Sequence, residues 1–198
     1  MTTISKLLIL ILITALASIG TAQAAEAGGP LSDLIPEGYR AIERQKFNLG
    51  AESGSYTDWY RYDLAPFHGF ATMLEIPAIH GKVRDKWAAV AKIRFIAKGE
   101  GKQPAIALAF QADRKTERIH VLFQNGDEVS RFEIDFALKE RVPIRVLQKT
   151  TGSLTATIGD RSIEIPVSFE IDSLSLVGSG LDVSFSPFVL LTKAGVSD

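Results

Sequence analysis

The chain has 198 residues, a formal charge of −1 and no cysteine. Without cysteine there are no disulfides, thiolate nucleophiles or thiolate metal ligands. A near-neutral chain with no run of basic residues also argues against a nucleic-acid partner.

Residues 1–24 read as a cleavable signal peptide. Lys6 supplies the positive start, 7–19 is an almost unbroken apolar run, and Ala22-Gln23-Ala24 is a small-x-small cleavage signal. The apolar run is shorter than the about 20 residues that cross a bilayer. No later segment is long and apolar enough to do so, and no membrane span is expected after cleavage. The expectation is a mature chain starting at Ala25, exported to a bacterial periplasm or exterior. Removal of Lys6 takes the formal charge to −2. Residues 25–34 read as a small-residue N-terminal leader, and 35–198 as one domain, long enough to bury its own core.

Within that domain the predicted elements are strands. The first covers 39–49 and is closed by Gly50. The second, 56–64, holds four of the chain's six Tyr and Trp residues: Tyr56, Trp59, Tyr60 and Tyr62. Alternation sets Tyr56, Tyr60 and Tyr62 on one face and Trp59 on the other. Pro66-Phe67-His68-Gly69 breaks this run, and 69–76 is a third strand. Residues 82–97 fit a strand by the period-two set Trp87, Ala89, Ala91, Ile93 and Phe95, opposite Lys86, Lys92 and Arg94. The alanines also permit a helix at its start, and the longer period-two signal favours the strand. After a Gly-rich loop, Ile106, Leu108 and Phe110 alternate with Ala105, Ala107 and Ala109. Residues 116–124 and 129–136 flank Asn125-Gly126, a strong hairpin signal.

The stretch 142–191 reads most clearly, with strands at 144–148, 154–158, 161–166, 173–177 and 181–191. Gly159-Asp160 suits a two-residue type II′ turn. That turn pairs Ile158 with Arg161, Ala156 with Ile163 and Leu154 with Ile165, so the apolar residues share one face. Eleven or twelve strands and no convincing long helix predict an all-β, antiparallel two-sheet β-sandwich or barrel.

The order of features from Arg131 to Leu191 resembles the back half of a concanavalin A-like lectin/glucanase jelly roll, as in laminin-G-like modules. The features are Val142-Pro143, the strand Ile144-Arg145-Val146-Leu147, the hairpin around Gly159-Asp160, Leu174-Ser175-Leu176-Val177-Gly178, and the closing strand Val183-Ser184-Phe185-Ser186-Pro187-Phe188-Val189. The resemblance implies a jelly-roll sandwich with one concave face, which in that family often binds carbohydrate.

Two groups of residues are candidate ligand contacts. Strand parity puts Arg118 and His120 on the face of Arg131, Glu133 and Asp135, within cross-strand reach. In glycosidases of the resembled family the catalytic strand reads Glu-x-Asp-x-Glu or Glu-x-Asp-x-x-Glu. Here Glu133-Ile134-Asp135 supplies the first part, but Ala137 and Leu138 stand where the second glutamate belongs. Retaining hydrolysis needs two carboxyls about 5–5.5 Å apart that flank a bond, and Glu133 and Asp135 lie along one strand. A solvated face with cross-strand ion pairs is the favoured reading of them. The second group is Tyr56, Trp59, Tyr60 and Tyr62, with Phe67 and His68 beside them. Exposed rings stack on the apolar faces of sugars while Asp58 and Arg61 bind hydroxyls, although aromatics are also ordinary strand and core residues. His68, His80 and His120 lack ligand-like spacing, so no metal site and no cofactor are expected.

The leading expectation is an exported, non-catalytic domain that binds a carbohydrate or glycan-like ligand on its concave sheet. The alternatives are a glycosidase or polysaccharide lyase, and a structural or protein-interaction module of the cell envelope.

Overall fold

The computed structural model describes residues 33–52, 54–80, 88–99, 103–150 and 152–195. The signal-peptide segment, most of the leader, and Trp87 with the start of the ambiguous segment lie outside the described residues.

Twelve strands follow in order: β1 (Tyr39–Gly50), β2 (Tyr56–Arg61), β3 (Gly69–Ile79), β4 (Val90–Ala97), β5 (Ala105–Asp113), β6 (Arg118–Asn125), β7 (Glu128–Ala137), β8 (Val142–Thr150), β9 (Ser153–Ile158), β10 (Arg161–Pro166), β11 (Ile171–Ser179) and β12 (Leu181–Lys193). They form two six-stranded sheets, β1-β12-β3-β8-β9-β10 and β2-β11-β4-β5-β6-β7. Every pairing is antiparallel. This is the two-sheet jelly roll of the concanavalin A-like kind. The period-two pattern in 90–97 forms a strand, as the longer alternation requires.

Local chemistry accounts for the turns. Gly159 has φ +60° and Asp160 is not left-handed, which matches a glycine-first type II′ turn, and Ile158 faces Arg161 as expected. The hairpin expected at Asn125-Gly126 forms one residue later. Asn125 pairs with Glu128, and the loop is Gly126-Asp127 with Gly126 at φ +58°. The second strand is shorter than expected because Asp63 takes φ +57°, which turns the chain after Arg61. At Gly69 a side chain has no room: a Cβ would sit 2.5 Å from the Val146 carbonyl oxygen. That glycine lets β3 enter the middle of the first sheet.

The core lies between the sheets. Phe70, Leu74, Ile144, Leu154 and Phe185 from the first sheet meet Ile93, Phe95, Leu108, Phe110 and Ile119 from the second, all fully buried. A chain of rings crosses it: Trp59 to Phe47 at 4.2 Å, Phe47 to Phe188 at 5.5 Å, Phe188 to Phe70 at 5.1 Å and Phe70 to Phe95 at 6.2 Å. Trp59 is therefore an anchor for the short edge strand β2. Unlike Tyr56, Tyr60 and Tyr62, Trp59 is absent from the groove lining, for the reason alternation already supplied: it points opposite to the tyrosines. Trp59→Ala should destabilise the fold by about 3 kcal/mol in a denaturant melt. Tyr60→Ala, on the other face, should change it by less than about 1 kcal/mol.

Candidate functional site

With one face of the second sheet committed to the core, its other face is fixed residue by residue. The pairing registers lay out three rows across the six strands. The first is Tyr56, Ser179, Val90, Gln111, His120 and Asp135. The second is Asp58, Val177, Lys92, Ala109, Leu122 and Arg131. The third is Tyr60, Ser175, Arg94, Ala107, Gln124 and Val129.

A groove of about 1260 Å³ occupies this face. One wall is aromatic. Tyr56, Tyr60 and Tyr62 line it, and the Tyr60 and Tyr62 rings stack 5.9 Å apart within 6° of parallel. Tyr56 is 67% and Tyr62 60% exposed, so these are rings open to solvent and not core residues. The opposite rim is Gln124 with the β6–β7 turn from Asn125 to Asp127.

The floor combines small side chains with Val90, Ile96 and Val177, and two cations stand on it. The first three outward residues of β5 are alanines, and Ala107 and Ala109 are buried although they lie on the outer face. Their size leaves space for Lys92 to reach over β5, where its Nζ donates to Gln124 Oε1 at 2.9 Å. Arg94 stands beside Lys92 on β4. Burial, and then the Arg94 charge, pull the Lys92 pKa down from its ordinary value. Between Tyr60 and Arg94 the Ser175 hydroxyl is buried without a hydrogen-bond partner among the described residues.

The far edge of the face holds a second cluster. Nδ1 of His120 lies 2.6 Å from Asp135 Oδ1 and 2.7 Å from Arg131 Nη2. A carboxylate only accepts and a guanidinium only donates, so one Nδ1 cannot serve both; we assign the ring proton to Nδ1, donated to Asp135, with the Arg131 hydrogen bonds going to the Asp135 oxygens and not to the ring. Arg131 also reaches both Asp135 oxygens at 3.3 Å. A pocket of about 480 Å³ next to it is lined by Gln111, Asp113, Arg114, Lys115, His120 and Arg131. A β-bulge creates this arrangement. Leu122 faces Arg131, but His120 faces Asp135, so β7 carries two extra residues over that step. Continued without the bulge, the ladder would set Glu133 opposite His120.

The sequence-predicted residues thus divide. Tyr56, Tyr60 and Tyr62 share the groove with Asp58, and His120, Arg131 and Asp135 form the cluster. Arg118 is on the same face and exposed, with Nη2 3.4 Å from the Asp135 carbonyl, and Glu133 is exposed within the bulged segment. His68 lies elsewhere: it precedes β3 of the first sheet, and its Nδ1 is 3.1 Å from Thr192 Oγ1. Burial, then Lys193, hold its pKa down. Arg61 points to the other side of β2 and pairs with Glu43 of β1 at 3.1 Å. Sequence reasoning missed Lys92, Arg94 and Gln124 as site residues. The signal was present in the alternation, which set Lys92 and Arg94 opposite a core face and opposed large residues to alanines in 105–110.

No protein family matches the sequence, and no curated protein does. Among solved structures the chain is similar to a family 18 polysaccharide lyase, aly-SJ02, at 8% identity. The TM-score is 0.50 over 82% of this chain and 97% of that one. It is also similar to the fructofuranosidase from Schwanniomyces occidentalis in complex with fructose, at 8% identity. There the TM-score is 0.50 over 80% of this chain and 35% of that one. These likenesses show the fold.

The hydrogen bond from His120 holds the Asp135 carboxyl below its ordinary value near 3.8, and Arg131 adds to the effect. Because the folded value is depressed, the pair's stabilisation is fully present above the unfolded value. It is lost as pH falls through the folded one. Asp135→Asn should therefore lower the thermal midpoint at neutral pH, and the two proteins should converge on acidification below the ordinary carboxylate range.

Proposed function

We propose that the protein is an exported glycan-binding domain whose ligand lies in the groove on the outer face of the second sheet. The observation that carries this reading is the wall of Tyr56, Tyr60 and Tyr62, open to solvent beside the groove. Solvent-exposed rings beside a long shallow groove suit sugars, which offer apolar C–H faces to aromatics and hydroxyls to polar rims. Gln124, Asn125 and Asp58 supply such a rim. Two of the similar solved structures are a polysaccharide lyase and a fructofuranosidase holding fructose, which is in keeping with a sugar ligand. Export rests on the signal-like segment 1–24. Mass spectrometry of the protein from cell envelope or medium should give a chain starting at Ala25, and retention of Met1 there would contradict it.

Carbohydrate chemistry on the same face is the second reading, favoured by the His120–Asp135 contact. An imidazole held at Nδ1 by a carboxylate presents Nε2 as a general base. Hydrolysis by paired carboxyls is not supported. For the pair Asp58 and Asp135 this is a matter of distance: Asp58 of the groove wall is five strand spacings from Asp135, about 24 Å, against about 5–10 Å for either hydrolytic geometry.

Tyr60→Ala and Tyr56→Ala should each weaken polysaccharide binding about fivefold, corresponding to about 1 kcal/mol per lost stacking contact. Affinity electrophoresis of the folded variants checks this, and unchanged mobility in every glycan that retards the wild type would remove the groove as the site. Glycan cleavage that disappears in His120→Ala but survives Glu133→Gln would select the enzymatic reading.

A further inference from the structure

Resting on the glycan reading of the groove, we propose that its ligand is an anionic polysaccharide, with carboxylate or sulfate groups held by Lys92 and Arg94. Both side chains leave β4 on the groove side, two residues apart, and both line the groove. Among the described residues neither is paired with a carboxylate, and Lys92 is bonded to the neutral amide of Gln124. The acids that line the groove sit at its two ends. Asp58 is on β2, two strand spacings or about 10 Å from β4, and Asp127 is in the β6–β7 turn. The middle of the floor is therefore positive.

Two adjacent cations over a bed of alanines repel each other and are partly withdrawn from water. An anion lying across them relieves both costs, and a neutral sugar relieves neither. Arg94 offers a planar fork that matches carboxylate and sulfate oxygens, and Lys92 offers a compact charge on a mobile stem. The tyrosine wall stands on the same rows: Tyr60 is aligned with Arg94, and Asp58 with Lys92. One chain lying across the strands thus meets rings first and cations next. Nucleic acid is the other polymer that combines rings with charge. The chain's overall formal charge of −1 and its lack of a basic stripe disfavour it.

The test uses matched pairs of polymers that differ in charge alone. Polygalacturonate is compared with its methyl ester, and dextran sulfate with dextran, by affinity electrophoresis or calorimetry on the secreted protein. The expected result is binding to at least one polyanion, at least tenfold tighter than to its neutral partner. The pair that responds tells carboxylate from sulfate. Lys92→Gln/Arg94→Gln should lose at least tenfold toward that polyanion, and Arg94→Gln alone should lose part of it with an unchanged melt. Lys149→Gln, on the first sheet, should leave binding as it was. Equal affinity for charged and neutral partners, or a folded double variant that binds like wild type, overturns the anionic assignment and leaves the glycan groove standing. Failure to bind any of these polymers or a neutral β-glucan overturns both. Tighter binding of a single-stranded oligonucleotide than of either polyanion overturns the assignment in favour of nucleic acid.

Discussion

The groove depends on Trp59 facing inward. β2 is a six-residue edge strand joined to its sheet by the β11 ladder alone. Such a strand holds its place through what it buries. Here that is one indole packed on Phe47 and near Phe188, both from the opposite sheet, with the Arg61–Glu43 pair beside it. Because successive side chains alternate, burying Trp59 commits Asp58 and Tyr60 to the outer face. The inward indole is thus what lets its neighbours line the groove.

The same logic shapes the floor. Phe95, Ile93, Leu108 and Phe110 fill the core side of β4 and β5, so the groove side of those strands is Val90, Lys92, Arg94, Ile96 and a row of alanines. Bulky outward residues there would fill the hollow. Alanines keep it low and let a lysine stem lie across them. Two like charges side by side and a buried unpaired hydroxyl at Ser175 are costs that core packing elsewhere offsets. Local conflicts of this kind concentrate where a fold is used.

Much of this was legible in the sequence, for a local reason. Alternation and turn chemistry act over a few residues, so the Gly159-Asp160 hairpin and the two faces of 56–62 could be read directly. What the sequence did not yield is long-range. Nothing local says that β2 pairs with β11, over a hundred residues away, and so brings the tyrosines onto the sheet that carries Lys92 and His120. The bulge in β7 was equally invisible. Parity grouped His120 with both Glu133 and Asp135, and the two extra residues decide that Asp135 is the partner. His68 was associated with the tyrosines by proximity in sequence, but the turn at Asp63 and the entry of Gly69 into the first sheet carry it away.

The central claim is that ligand sits on the outer face of the second sheet, between the tyrosines and the β6–β7 turn. Methyl and amide NMR shifts recorded while an oligosaccharide that binds is titrated in test it most directly. The account predicts shifts at Ala105, Ala107, Ala109, Gln124 and the three tyrosines, with Thr155, Thr157 and Ser162 of the first sheet unmoved. Shifts confined to the first sheet would contradict it.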